Sequence, residues 1–277
     1  MLALETTVAI VGLEPASRED RTRWRAQWNV PRGWRQGRGA WGGLVVTAVV
    51  RAALSVEPGP RAVRAVTAQI LAPIPSGIVE VEITELRRGS ATATWQVRLI
   101  DPAAAGVAVQ AVVVLGDARA LGVDEELSRP DRDAQMPAVA PWADTDLVPV
   151  AAPLGPEFAA HLRYRPISGF PYSGTDDDIA CWVSYPQGTM DEAALLGLVD
   201  ALWPLAVVRL DHVRPMATIN FTASLLVDPA SLDPGEPILH TSRSMGSYAG
   251  YSTEHRQLWS SDGRLLVDNP QVIAIIR

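Results

Sequence analysis

Lysine is missing from this chain. All 24 basic residues among the 277 are arginine, which excludes a mechanism built on a lysine nucleophile or Schiff base. Cysteine is reduced to Cys181 alone, so no internal disulfide framework is possible and the usage fits a reducing, cytoplasmic compartment. Cys181 lies in "IACWVSY", a strand-like run, and reads as a buried inert thiol rather than a nucleophile. No apolar run approaches the roughly 20 residues of a membrane span. The N-terminus "MLALETTVAIVGLEPASRED" has neither the basic start nor the small-residue cleavage site of a signal peptide. A net charge of −7 argues against nucleic acid as a partner. There is no G-x-S-x-G elbow, no P-loop and no G-x-G-x-x-G after a strand. His161, His212, His240 and His255 are scattered singly, most of them read as surface or boundary residues, and they offer no metal-ligand spacing. No metal or other cofactor is therefore expected. The run Asp176-Asp177-Asp178 reads as a solvated turn rather than a calcium loop.

Strand signals are what the chain has in plenty. In "GIVEVEITEL" (77–86), Val79, Val81 and Ile83 alternate with Glu80, Glu82 and Thr84. In "ATATWQVRLI" (91–100), Ala93, Trp95, Val97 and Leu99 alternate with Thr94, Gln96 and Arg98. A period of two predicts strands with one buried face, here joined by a tight turn at "RRGS" (87–90). "GVAVQAVVVLGD" (106–117) reads as a third, more buried strand. Ahead of them, Leu44 to Leu54 reads as a buried helix that opens on the pair Gly42-Gly43. Prolines 130, 137, 141, 149, 153 and 156 predict a linker. After it the order repeats. "TMDEAALLGLVDALWPLAVV" (189–208) reads as a helix. "MATINFTASLLVD", "PILHTSRSMGSYAGYSTEHRQLW" and "GRLLVDNPQVIAII" read as strands, the second a hairpin turning near "MGS" (245–247). "RRGS" and "RSMGS" stand at matching points, as do "AVQAVVV" and "NPQVIAI". The expectation is an α+β chain of two tandem units, each a long helix wrapped by a curved antiparallel sheet. The N-terminal unit covers 1–120, the linker 121–156 and the C-terminal unit 157–277.

Few residues in this pattern carry chemistry. Thr189 and Glu192 have the T-x-x-E spacing of a capping box and place the second helix start there. Leu195, Leu196, Val199, Leu202 and Trp203 form an apolar stripe beyond it, and Asp200 lies beside that stripe. A carboxylate there is partly desolvated and resists ionising unless paired; it is either a boundary residue bonded to an arginine or a functional acid. Gln271 interrupts the apolar run "QVIAII" and needs partners. Thr218 alternates with the polar set of "MATINFTASLLV", which puts it on the solvent side unless the strand start is twisted or bulged. The Gly42-Gly43 pair has two readings. It either permits tight packing or leaves the free N–H groups of a helix start uncovered for an anionic oxygen.

The segments "AWGGLVVTAVVRAA", "VTAQILAPIPSGIVEVEITELRRGSATATWQVRL", "GLVDALWP", "MATINFTASLL" and "SYAGYSTEHRQLWSSDGRLLVDNPQVIAI" resemble, in that order, the acyl-CoA thioesterase II family. Its members are double-hotdog thioesterases, and the similarity runs from about Trp28 to the end without the linker. The resemblance implies hydrolysis of acyl-CoA or carrier-protein thioesters without a cofactor. It implies that Asp200, Thr218 and Gln271 hold the hydrolytic water, and that Trp41, Gly42 and Gly43 bind substrate, the glycine N–H groups facing the thioester carbonyl. The first helix has Val49, Val50 and Arg51 near the place matching Asp200, so one site per chain is expected. The stretch "INFTASLL" departs from the family, which bears on acyl preference. A dehydratase or isomerase on the same scaffold is a second reading, although no D-x-N-x-x-H-like segment is present. A non-catalytic acyl-binding protein is a third. Exposed sheet edges and the family habit predict a homo-oligomer.

Overall fold

The computed structural model describes residues 4–17, 19–104, 106–119, 133–150, 155–174, 178–212, 214–233 and 235–276. Asp176, Asp177, Pro130 and Pro153 lie outside them. The first half runs α1 (Leu4–Thr7), β1 (Ile10–Pro15), β2 (Arg23–Val30), the short ribbon β3 (Arg35–Gln36) and β4 (Gly39–Ala40), and α2 (Gly42–Val56). It continues with β5 (Ala62–Ile70), β6 (Gly77–Arg88), β7 (Thr92–Asp101) and β8 (Gly106–Gly116). The second half runs β9 (Arg163–Ser168), β10 (Asp178–Ser184), α3 (Glu192–Leu198), α4 (Leu205–Arg209), β11 (Met216–Leu225), β12 (Ile238–Tyr248), β13 (Tyr251–Trp259) and β14 (Leu265–Ile275).

Twelve of these strands form one antiparallel sheet, in the order β1-β2-β6-β7-β8-β5-β11-β14-β13-β12-β10-β9. Read outward from its centre, the order is the same in both directions: each half begins with the strand that follows its buried helix, β5 or β11, and ends with its first strand, β1 or β9. β5 and β11 meet there with Thr67 opposite Thr222. "VTAQIL" (66–71) thus faces its own counterpart "FTASLL" (221–226) across a local two-fold axis. The buried residues alternate as the sequence predicts. Val79, Val81 and Ile83 on β6 and Ala93, Trp95, Val97 and Leu99 on β7 all point inward. β2 carries the same period, with Ala26, Trp28 and Val30 buried between exposed neighbours.

The inward face closes on the two helices. Gly43 lies against the backbone of Gly197, and the Thr47 hydroxyl donates to the Ala193 carbonyl at 3.1 Å. The contacts run in opposite senses along α2 and α3, so the helices are antiparallel and touch backbone to backbone. A Cβ on Gly197 would stand 2.7 Å from the Gly43 carbonyl oxygen.

Three expectations need correction, and the expected linker gains a detail. The second helix is not one long rod over 189–208: it ends at Leu198, and α4 starts after Pro204. Its start is capped by Asp191, whose side chain accepts from the Ala194 N–H at 2.7 Å, so there is no Thr189–Glu192 capping box. Glu192 instead reaches across to accept from the Val63 N–H at 3.1 Å. The β12–β13 hairpin turns at Ala249-Gly250, not at 245–247. Both residues have positive φ (50° and 84°), as a two-residue type I′ turn requires. Gly246 lies within the strand, at a register shift after Ser244. Finally, part of the expected linker is packed. Met136, Val139 and Trp142 cover Trp182, Leu239 and Trp259 on the outer sheet face, and the Trp182 indole donates to the Ala140 carbonyl at 2.9 Å.

Candidate active site

Asp200 sits where the second helix breaks. A continuing helix would use the carbonyls of Val199, Asp200 and Ala201; here side chains from other elements take them. His240 on β12 bonds the Val199 carbonyl at 2.7 Å, and Arg256 on β13 reaches it at 3.4 Å. The Trp41 indole donates to the Asp200 carbonyl at 2.7 Å, and the Tyr164 hydroxyl to the Ala201 carbonyl at 3.1 Å. Helix-end carbonyls need partners, and these four side chains, with Pro204 beyond them, hold the turn open. The break aims the Asp200 side chain at the N-terminus of α2.

That N-terminus has no cap of its own. Trp41 at the N-cap offers no side-chain acceptor, and the first turn carries no acidic residue. The Asp200 carboxylate fills the role from the other half, accepting from the Gly43 N–H. The partial positive charge of the helix start favours an anion there. Gly42 makes the approach possible, since a Cβ on it would stand 2.5 Å from Asp200 Oδ2.

Gln271 and Thr218 complete a row. The Gln271 amide donates to Asp200 Oδ1 at 3.5 Å and to Asn269 Oδ1 at 2.9 Å, and its Oε1 accepts from the Thr218 hydroxyl at 3.2 Å. Asn269 is itself fixed by donating to the Thr222 carbonyl at 2.6 Å. Thr218 reaches the row because β11 is bulged: Thr218 pairs with Ile273 while Asn220 pairs with Val272, leaving Ile219 as the extra residue. The bulge reverses the phase of the strand start and turns Thr218 away from the solvent side on which plain alternation puts it.

Asp200 is 6% exposed, Gln271 and Glu254 are wholly buried, and Arg256 is 1% exposed. Burial pushes the Asp200 carboxyl above the usual aspartate range; the Arg256 guanidinium, the Gln271 amide and the Gly43 N–H pull the other way. Arg256 Nη1 stands 3.1 Å from Asp200 Oδ1, while its Nε and Nη2 donate to Glu254 Oε2 at 3.2 and 3.1 Å. Glu254 also accepts from the Ser242 hydroxyl at 3.3 Å and the Leu205 N–H at 2.6 Å. His240 is fully buried rather than a surface or boundary residue, and burial lowers it to about 3, so its ring is neutral. The Cys181 thiol is buried and pushed up to about 12, a poor nucleophile.

The structure thus brings Asp200, Thr218, Gln271, Gly42 and Gly43 together. Trp41 and Gly43 are both tightly packed. Trp41 is wholly buried, stacked on Phe158 at 4.6 Å; it reaches the site through the Asp200 carbonyl, not through an open face. Gly43 is a packing glycine whose N–H is engaged by Asp200: a Cβ there would overlap the Trp41 ring and the Gly197 carbonyl. Arg256, Glu254 and Asn269 were legible but missed. In "YSTEHRQLW" the inward phase is set by Leu258, and two-residue steps back from it reach Arg256 and Glu254.

Among the described residues no group of His, Cys, Asp and Glu could hold a metal ion. Family models for acyl-CoA thioesterases match in two parts, the N-terminal domain over residues 30–116 and the C-terminal domain over 130–275. Solved structures agree in fold. A hotdog-fold protein of unknown function from Alicyclobacillus acidocaldarius is 24% identical, with a TM-score of 0.84 over 100% of this chain and 99% of its own. A candidate thioesterase II from Thermobifida fusca is 21% identical, with a TM-score of 0.79 over 100% and 98%. The acyl-CoA thioesterase II TesB2 from Mycobacterium marinum is 14% identical, with a TM-score of 0.69 over 99% and 97%. No curated protein matches the chain. With both domains matched in order across most of its length, the chain belongs to the acyl-CoA thioesterase family and is a thioester hydrolase.

Proposed function

We propose that the chain hydrolyses acyl-CoA thioesters with a water molecule held by Asp200, Gln271 and Thr218. The observation that carries this reading is the buried hydrogen-bonded row Thr218–Gln271–Asp200 at the start of α2. Asp200 takes a proton from the water as its oxygen attacks the thioester carbon. The oxyanion that forms lies at the α2 N-terminus, where the Gly42 N–H is the donor left after Gly43 is committed to Asp200. Collapse breaks the C–S bond, and the thiolate leaves with the proton that Asp200 received. Gln271 and Thr218 carry no charge; they fix where the water sits.

The same reading divides the chain into units of 1–120 and 157–277 around the linker 121–156. It includes a cytoplasmic homo-oligomer, supported by the single free cysteine and by the sheet's end strands β1 and β9, the second bridged at Tyr164 by Val148. No described helix is long and apolar enough to cross a membrane. The test is release of free thiol from a panel of acyl-CoA and carrier-protein thioesters by the purified protein, with the product identified by mass. Free acid plus thiol from acyl-CoA is the expected outcome. Water addition, isomerisation or binding without turnover across the panel would overturn it.

A further inference from the structure

Arg256 and Glu254 form a second layer that the hydrolytic reading does not use. Both are buried, both lie on the inward phase of β13, and the guanidinium bridges two carboxylates, Asp200 at 3.1 Å and Glu254 at 3.1 Å. Glu254 is in turn anchored at both oxygens, by the Leu205 N–H and by Ser242. The arrangement is a lever with a fixed far end. We propose that Arg256, held in place by Glu254, is the positioning residue that keeps the Asp200 carboxylate ionised and turned with Oδ1 inward, leaving Oδ2 on the open Gly42 side for the attacking water. This rests on Asp200 being the base.

The charge balance gives the two residues opposite effects on Asp200. A cation within hydrogen-bond distance favours the carboxylate; a second buried carboxylate behind it takes up part of that cation's field and disfavours ionisation. The other groups facing the cluster do not compete. On β12, His240 is neutral; Tyr164 on β9 is held protonated by burial; Cys181 on β10 is a thiol; α2 has no charged side chain in its first turn, and the favourable field of its N-terminus, like the Gln271 amide, is the same in every variant tested. The Asp200 carboxyl therefore answers to Arg256 and Glu254.

The test is the pH profile of kcat/KM for thioester hydrolysis in purified variants. Arg256→Gln should move the acid limb up by about one to three pH units, with activity recovering at high pH. Glu254→Gln should move it down. Opposite movements cannot come from general loosening of the fold. If Arg256→Gln strands the buried Glu254 charge and fails to fold, the double variant Arg256→Gln/Glu254→Gln removes both charges and should still show the upward shift. Folded variants whose acid limb stays in place, with Asp200→Asn inactive, would overturn the proposal while leaving Asp200 as the base. Full activity in Asp200→Asn would instead overturn the hydrolytic reading itself.

Discussion

The two halves of the chain share one topology and differ at a handful of interior positions. Around the local axis, α2 residue Gly43 contacts Gly197 as Thr47 contacts Ala193, so Val50 on α2 holds the place of Asp200. β5 is bulged between Val63 and Ala65 just as β11 is bulged between Thr218 and Asn220, and Val63 holds the place of Thr218. On β8, Val113 pairs with Val66 and Trp95, as Gln271 on β14 pairs with Phe221 and Glu254. Three buried valines therefore stand where the second half carries Asp, Thr and Gln. Trp95 and Val97 likewise stand where it carries Glu254 and Arg256. The same scaffold can be filled either way. The apolar filling leaves few polar groups to satisfy; the Trp95 indole N–H is met by Glu57 Oε2 at 3.1 Å. The polar filling needs every member partnered, because each buried donor or acceptor left open costs about 1–3 kcal/mol. The dense network around Asp200 meets that requirement at Asp200, Gln271, Glu254 and Arg256, while His240 beside it bonds through Nε2 and leaves Nδ1 without a partner.

The largest expected break in this comparison comes from Asp200→Asn. Asparagine fits the space and keeps the turn, so the fold should persist while hydrolysis falls by about a thousandfold, the scale of a lost general base. Initial rates and thermal unfolding on the same protein check it. The two glycines of α2 separate packing from chemistry. Gly43→Ala should cost about 3 kcal/mol of stability, because the new Cβ meets the Gly197 backbone and the Trp41 ring, which cannot move aside. Gly42→Ala should leave stability closer to wild type and lower turnover by about 10- to 100-fold, since its Cβ displaces Asp200 Oδ2 from its present position. Chemical denaturation and kcat, measured on both variants, should show the two effects on different glycines.

Gln271→Ala should lower the rate by about 10- to 100-fold, less than the loss at Asp200, because a positioning contact is removed and the base remains. The pH dependence adds a sign. Burial raises the Asp200 carboxyl in the folded state, so the fold favours its protonated form. That stabilisation is full below the unfolded aspartate value and fades as pH rises through the folded one. The share of stability that Asp200 supplies should thus decline with rising pH across the carboxylate range, read as the pH dependence of the difference in urea midpoint between the wild type and Asp200→Asn; lowered carboxyls such as Glu57 act in the opposite sense in both proteins and drop out of that difference. Activity should move the other way, rising with pH through the same folded value.

Much of this was legible from the sequence, for identifiable reasons. Period-two runs such as Val79–Val81–Ile83 are dictated by burial of one sheet face, and they fixed the meander and its repeat. Asp200 and Gln271 stood out because polar residues inside apolar patterns demand partners. What could not be read is where the pattern is broken by contacts distant in sequence. Pro204 within 189–208 has no N–H for the Asp200 carbonyl and was a legible sign of a break; what could not be read is that Trp41, Tyr164, His240 and Arg256 take the freed carbonyls. Glu192 left its local cap for Val63, which lies 129 positions earlier in the chain. Arg256 and Glu254 were hidden by their charge, which marks them as surface residues until the phase set by Leu258 is followed back.

Thr218 offers the smallest and most specific test of the two-fold comparison. Its counterpart Val63 shows that the bulged position accepts valine without disturbing the strand, so Thr218→Val is a swap for which the other half already provides the precedent. Valine keeps the branched shape and the strand preference. What it removes is one donor to Gln271 Oε1, now 3.2 Å away. A neutral hydrogen bond of about 1 kcal/mol corresponds to about a fivefold loss of rate. Thr218→Ser retains the hydroxyl and should restore most of it. Equal rates in the wild type and Thr218→Val would mean that the hydroxyl only satisfies Gln271 and leaves the water untouched. A deletion of Ile219 sharpens the point. Removing the extra residue straightens the strand but leaves Thr218 opposite Ile273 on the inner face, so this variant should keep the hydroxyl's contribution that Thr218→Val loses.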